Sequence, residues 1–263
     1  PRWVSQWLQS YWRGLLTLAL AALLVVAPLA RFVYQDPDTY FRRARTTALF
    51  ENVAPEARLP ALWSNMRKHL LMFHYRGDPN GRHNLPGAPM LDPYSAALML
   101  LGLALAVVGC RRGGVAGALA LFLPLWLLTG LLGGILSLDF EAPQSLRSIG
   151  ALPPAYILAA LPLAALAQEW RRVGEPYLPG ALNWPLALLL AAVGFSNFHT
   201  YFFLQAGNFA SWNAYSKPET IAAQILNHAT PGTEAYVISL FQGPQTLRFL
   251  NRPWAEGSRL DAS

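Results

Sequence analysis

Long hydrophobic runs uninterrupted by charge organise this chain. No charged residue falls between Arg13 and Arg31, Asp92 and Arg111, Arg112 and Asp139, Arg147 and Glu169, or Glu175 and Lys217. A bilayer-spanning helix needs about 20 mainly apolar residues, with a range of roughly 17–25. Five segments meet that length: about 14–33, 91–110, 115–136, 149–168 and 182–204. Apolar residues run around the whole circumference of each, as a lipid-embedded helix requires. The expected fold is therefore an all-α polytopic membrane protein of about five spans. Residues 1–33 read as a cytoplasmic stub with the first span, 34–90 as an external loop with amphipathic helices, 91–204 as a four-span bundle, and 205–263 as a small external α/β tail, itself incomplete.

Between the spans the polar pattern changes. Asp36-Pro37-Asp38 opens a predicted helix with Asp38 as its candidate cap. A second helix is predicted over 58–74, where Leu59, Leu62, Trp63, Met66, Leu70 and Phe73 recur at helical spacing and Arg67, Lys68 and His69 form the other face. Such a helix suits a membrane interface, or equally a helix packed on its own loop domain. The Gly-, Pro- and Asn-rich run from Tyr75 to Gly87 marks turns leading into the next span. In the tail, a short helix is expected from Pro218 to His228, a buried strand over 235–240, and helix or strand from Thr246 to Leu250.

Composition reinforces this picture. Of 263 residues, 54% are hydrophobic and 13% charged, roughly half the charge of an ordinary soluble domain. That content excludes disorder, and five such segments would leave a soluble protein too little polar surface to cover them. The single cysteine, Cys110, excludes a disulfide framework and a cysteine-based zinc finger. Arg111 and Arg112 follow the second span, and Arg171 and Arg172 follow the fourth, whereas Asp139 and Glu141 outnumber Arg147 after the third. Positively charged short loops stay cytoplasmic, so 34–90 and the tail are expected outside. The net charge of +6 fits anionic headgroups or phosphates better than nucleic acid.

Candidate chemistry is sparse. Gly113-Gly114 and Gly133-Gly134 sit at helix borders without the Lys and Ser/Thr partners of a phosphate loop. His69, His74 and His83 match no familiar ligand spacing, so neither a metal nor another cofactor is expected, and no Gly-x-Ser-x-Gly nucleophile signal is present. What remains is a set of external arginines, Arg42, Arg43, Arg45, Arg76, Arg82 and Arg147, a residue type that forms paired hydrogen bonds to phosphate. Arg147 stands at the external mouth of a span, at the depth of a lipid-linked phosphate. It suits that role and an ordinary interfacial anchor equally.

Three runs carry a resemblance. They are Asp36-Pro37-x-x-x-Phe41-x-Arg43 leading to Phe50; Gly77-Asp78 with Arg82-His83-Asn84-Leu85-Pro86-Gly87-x-Pro89-Met90-Leu91-Asp92-Pro93; and Leu146-Arg147-Ser148-Ile149-Gly150-Ala151-Leu152-Pro153. In their order and external placement the chain resembles the C-terminal half of bacterial membrane glycosyltransferases of family 39, the C-type fold group that includes protein O-mannosyltransferases and the lipid A aminoarabinose transferase. The resemblance covers about 14–170 well and the tail loosely. It implies transfer of a sugar from a polyprenyl-phosphate donor to an acceptor at the external face, with Arg147, Arg43 and Arg82 as donor-phosphate contacts and Asp78, His83 and Asn84 shaping the sugar or acceptor pocket. An acidic residue in the family's first external loop serves as general base, and that motif lies upstream of the matching region. The chain begins at Pro1 without an initiator Met, so the expectation is a fragment with no catalytic residue of its own, inactive without its N-terminal half. Two other readings stay open, a carrier or flippase for a lipid-linked or anionic substrate, and a non-catalytic membrane assembly subunit. No Asp, Glu, Lys or Arg lies at the centre of a span, which counts against transport.

Overall fold

The computed structural model describes residues 2–174, 178, 180–229 and 245–250. The chain divides into two compact units, Pro1–Pro55 and Glu56–Ser263, each described by itself. Helices dominate, and no strand occurs among the described residues. The expected strand over 235–240 lies outside them.

The first unit is built on α1 (Arg2–Gln35), with Pro28 inside it. Then come α2 (Pro37–Thr47) and the single turn α3 (Leu49–Asn52). Asp36, not Asp38, caps α2. Its carboxylate accepts the Thr39 N–H at 3.0 Å with Pro37 in the first turn, because proline is best placed where no N–H is needed. Asp38 instead pairs with Arg45 on the exposed face at 2.8 Å.

In the second unit α4 (Arg58–Leu71) precedes α5 (Pro93–Gly109), α6 (Gly114–Ile135), α7 (Leu152–Val173) and α8 (Asn183–His199). The last continues into a π-helical turn, Thr200–Gln205. Short helices α9 (Phe209–Ala214), α10 (Lys217–Asn227) and α11 (Gln245–Leu250) follow. The last two match the expected helix near 218–228 and resolve the 246–250 ambiguity as helix.

Four helices are long and apolar enough to cross a membrane: Ser10–Gln35, Gly117–Ile135, Leu146–Val173 and Asn183–Gln205. The expected span over 91–110 is a shorter apolar helix of 17 residues, prolonged by the 3-10 turn Cys110–Arg112. Their outward faces carry leucine and phenylalanine rather than charge. On α8 alone Trp184, Leu188, Leu190, Phe195 and Phe198 are exposed, an apolar surface that water would penalise and lipid would not.

The buried cluster of this unit joins α5, α6 and α7 through Met99, Ala106, Leu127, Leu131, Ala155, Leu158 and Ala159. Small residues let the backbones approach. At Gly102 a side-chain carbon would overlap the Leu158 carbonyl of α7, so the α5–α7 crossing requires glycine there. Asp92 caps α5, accepting the Tyr94 and Ser95 N–H groups at 3.1 and 3.0 Å, and also accepts from Asn197 of α8 at 3.0 Å. Consequently the start of α5, the end of α6, the start of α7 and the end of α8 share one face. The loop before α5, the 136–151 segment and the chain after α8 therefore meet.

Candidate functional site at the shared helix ends

The site is assembled where α4 seals the end of α6. The Asn65 amide donates to the carbonyls of Ile135 and Ser137 at 3.1 and 2.8 Å, satisfying backbone groups that a helix end leaves open. One turn later His69 is fully buried. Its Nδ1–H donates to the Asn65 carbonyl at 2.8 Å and its Nε2 accepts the Gln144 N–H at 3.0 Å. These two bonds define a neutral tautomer. Burial pushes the imidazole below its ordinary pKa, and this outweighs the Asn65 carbonyl and the Asp78 charge, which pull it up. The basic outer face expected for Arg67, Lys68 and His69 is thus corrected: His69 points inward, and the helix exposes Leu59, Trp63 and Leu70. Gly134 makes this possible, since a side-chain carbon there would overlap His69 Nε2 and Ser148 Oγ.

Asp78 binds the turn-rich loop to the segment before α7. It is fully buried. Its Oδ1 accepts the Asn80 N–H at 2.8 Å, and its Oδ2 accepts the Ser145 N–H at 2.8 Å, the Ser145 hydroxyl at 2.7 Å and His83 Nδ1 at 3.1 Å. A carboxylate so occupied, with three bonds on Oδ2 and one on Oδ1, organises the site. The Gly87 N–H closes the loop onto the Asp78 carbonyl at 3.0 Å.

An open cleft of about 360 Å³ lies against this junction. Met72, Phe73, Met90, Leu91, Leu146, Ile149 and Leu152 make its apolar walls, and Arg82, His83, Ser145 and Ser148 supply polar groups. The Arg82 guanidinium donates through Nε and Nη2 to the Ala214 carbonyl at 3.1 and 2.9 Å, and Tyr215 donates its hydroxyl to the Arg82 carbonyl at 2.7 Å. Arginine has five N–H donors, so three remain. The Ser148 hydroxyl is buried without a hydrogen-bond partner among the described residues.

Of the residues expected at the site, Asp78, Arg82 and His83 come together here. Arg147 belongs to the same 3-10 turn, Leu146–Ala151. Its backbone N–H donates to Gln144 Oε1 at 2.8 Å, and its Nη2 stands 3.1 Å from Glu141 as an ion pair. Its Nη1 is buried without a hydrogen-bond partner among the described residues. Asn84 donates to the Ala88 carbonyl at 2.6 Å and lines a different cavity, of about 390 Å³, with His74, Asp92, Asn197, Tyr201 and Gln205. In that cavity the Asp92 carboxylate accepts from the Tyr94 and Ser95 N–H groups and from Asn197. Arg43 belongs to α2 in the first unit, where its carbonyl accepts the Thr46 and Thr47 hydroxyls at 3.1 and 2.8 Å.

The three histidines do not converge, and no group of three or more metal-ligating side chains occurs among the described residues. Sequence reasoning missed Asn65, Gln144 and Ser145, polar residues in apolar surroundings whose partners lie 67 to 75 positions away. No protein family, curated protein or solved structure matches this chain.

Proposed function

We propose that this chain is the C-terminal part of an integral-membrane glycosyltransferase, a multi-pass protein of five spans that moves a sugar from a polyprenyl-phosphate donor to an acceptor at the outer face of a bacterial plasma membrane. The observation that carries the reading is the cleft, in which apolar walls end on Arg82, His83 and the Ser145 and Ser148 hydroxyls. A polyprenyl phosphate has the same division, an isoprenoid chain joined to an anion. Arg147 stands on the same turn as Leu146, Ser148 and Ile149 of the cleft wall without lining the cleft itself, and the motif resemblance supplies both its phosphate role and the reaction class. In that reaction the acceptor hydroxyl attacks the anomeric carbon, its proton passes to a base, and the carrier phosphate leaves with the bonding pair. Guanidinium and hydroxyl donors stabilise the departing charge. Asp78 is not that base, because four hydrogen bonds engage its oxygens.

Binding of undecaprenyl phosphate and of undecaprenol to the detergent-solubilised protein tests the reading. The phosphate form binds more tightly, and Arg82→Ala or Arg147→Ala each removes about tenfold or more of that preference, the worth of one hydrogen bond to a charged group. Membranes carrying the full-length parent protein with Arg147→Ala also lose transfer of labelled sugar from the polyprenyl-phosphate donor despite normal insertion. Equal binding of the alcohol and the phosphate, or transfer unchanged in Arg147→Ala, refutes the proposal.

A further inference from the structure

A second cleft, of about 490 Å³, opens beside α4 and is lined by Arg67, Lys68, Leu71, Tyr75, Arg76, Gly77, Pro79, Ala142 and Pro143. Three of these residues are cationic and none is acidic. Lys68 Nζ reaches only a backbone group, the Asp139 carbonyl, at 3.2 Å. The side chains of Arg67 and Arg76 have no hydrogen bond or ion pair among the described residues. Three cations and no acid on its lining, with no carboxylate at ion-pair distance among the described residues, leave a cleft of uncompensated positive charge. An anion within it would meet two guanidinium forks and an ammonium, the donor set that suits phosphate oxygens.

The helix that supplies Arg67 and Lys68 also indicates where the anion comes from. On α4, Leu59, Trp63 and Leu70 lie on one stripe at helical spacing, and all three are exposed, Leu59 at 76% and Trp63 at 64%. Arg67 flanks that stripe one turn beyond Trp63. The opposite side of α4, through Asn65, is bonded to the end of α6, a helix long enough to span a bilayer, which holds α4 at the level of the membrane surface. A helix with its apolar stripe turned outward at that level, and cations along its flank, has the design of an interfacial helix.

We infer that α4 lies in the membrane interface, with Leu59, Trp63 and Leu70 among the acyl chains, and that the Arg67–Lys68–Arg76 cleft holds the phosphate of an anionic phospholipid. The site is separate from the cleft assigned above to the polyprenyl phosphate and does not depend on that assignment.

Native mass spectrometry of the full chain in detergent, titrated with phosphatidylglycerol, phosphatidylcholine or inorganic phosphate, tests the inference. Phosphatidylglycerol is retained in preference to phosphatidylcholine. Arg67→Gln with Arg76→Gln lowers its affinity about thirtyfold, at the usual worth of a cation near an anionic membrane surface, while Arg172→Gln, at the opposite end of the spans, leaves it unchanged. Trp63→Ser weakens phosphatidylglycerol retention without unfolding the protein. Undecaprenyl phosphate binding survives in the Arg67/Arg76 variant, which separates the two sites. Equal retention of phosphatidylcholine, or no loss in the double variant, overturns the inference. Inorganic phosphate binding as tightly as phosphatidylglycerol, with Trp63→Ser silent, overturns the lipid source.

Discussion

Replacing Asp78 by asparagine tests whether one buried carboxylate holds the site together. The change preserves size but leaves a single oxygen where two now accept four hydrogen bonds. The best asparagine rotamer keeps oxygen toward Ser145 and His83, which make three of those bonds, and turns its NH2 onto the Asn80 N–H, donor against donor. That arrangement loses one bond to a charged acceptor, worth about 1.5–3 kcal/mol. It also weakens the other three, since neutral pairs are roughly half as strong as charge-assisted ones. Asp78 is fully buried, so water does little to compensate, and the total is about 3 kcal/mol, or roughly a hundredfold in the opening equilibrium. Hydrogen exchange in detergent micelles reads this locally. The Asn80 and Ser145 amides, which donate to the carboxylate at 2.8 Å, exchange roughly a hundredfold faster, while amides in the middle of α7 do not change. If both loop amides keep their rates to within about threefold, less than 1 kcal/mol, the carboxylate is not the tie described here.

Other consequences are open to direct measurement. Gly102→Ala drives a methyl into the Leu158 carbonyl and lowers thermal stability in detergent by about 1–3 kcal/mol. Gly194→Ala on α8 meets nothing within 4 Å and is neutral or stabilising by about 0.5–1 kcal/mol, so equal effects of the two substitutions would contradict the crossing. His69 titrates lower folded than unfolded. Its contribution is therefore fully present above about pH 6.5 and is lost as the pH falls from there through the folded value, because the unfolded chain takes up the proton first. Stability measured against pH falls on acidification through that window, and His69→Gln flattens the part of the slope due to this group; an unchanged slope would show that His69 does not contribute.

Much of the scaffold was legible because its signal is local. A bilayer-length run without charge can be counted directly along the chain, and four of the five predicted segments emerge as helices long enough to span. The 91–110 segment fell short because Asp92-Pro93 begins the helix sharply and Gly109 ends its regular part. The α2 cap was misread between two nearby aspartates. Asp36 wins because Pro37, lacking an N–H, fits the first helical position after a cap.

The site was legible only in outline. Gly77-Asp78 and Arg82-His83 drew attention as polar residues in a turn-rich loop, yet nothing local indicated that Asp78 would meet Ser145 or that Asn84 would face away into another cavity. The inward turn of His69 also ran against its neighbourhood. Beside Arg67 and Lys68 it read as part of a basic face, but an imidazole with both nitrogens bonded loses little by burial, whereas an unpaired lysine or arginine loses much.

By itself the sequence determined that the chain is helical and apolar enough to cross a membrane, and where its long helices run. These follow from length, hydropathy and charge, which act residue by residue. Tertiary structure alone decided which polar groups are satisfied by one another and which are left over. Asp78, His69 and Asn65 hold the helix ends together, while the side chains of Arg67 and Arg76 remain without partners among the described residues. That division depends on hydrogen bonds between residues some seventy positions apart, and a bond of that kind exists only once the helices carrying its two ends have packed.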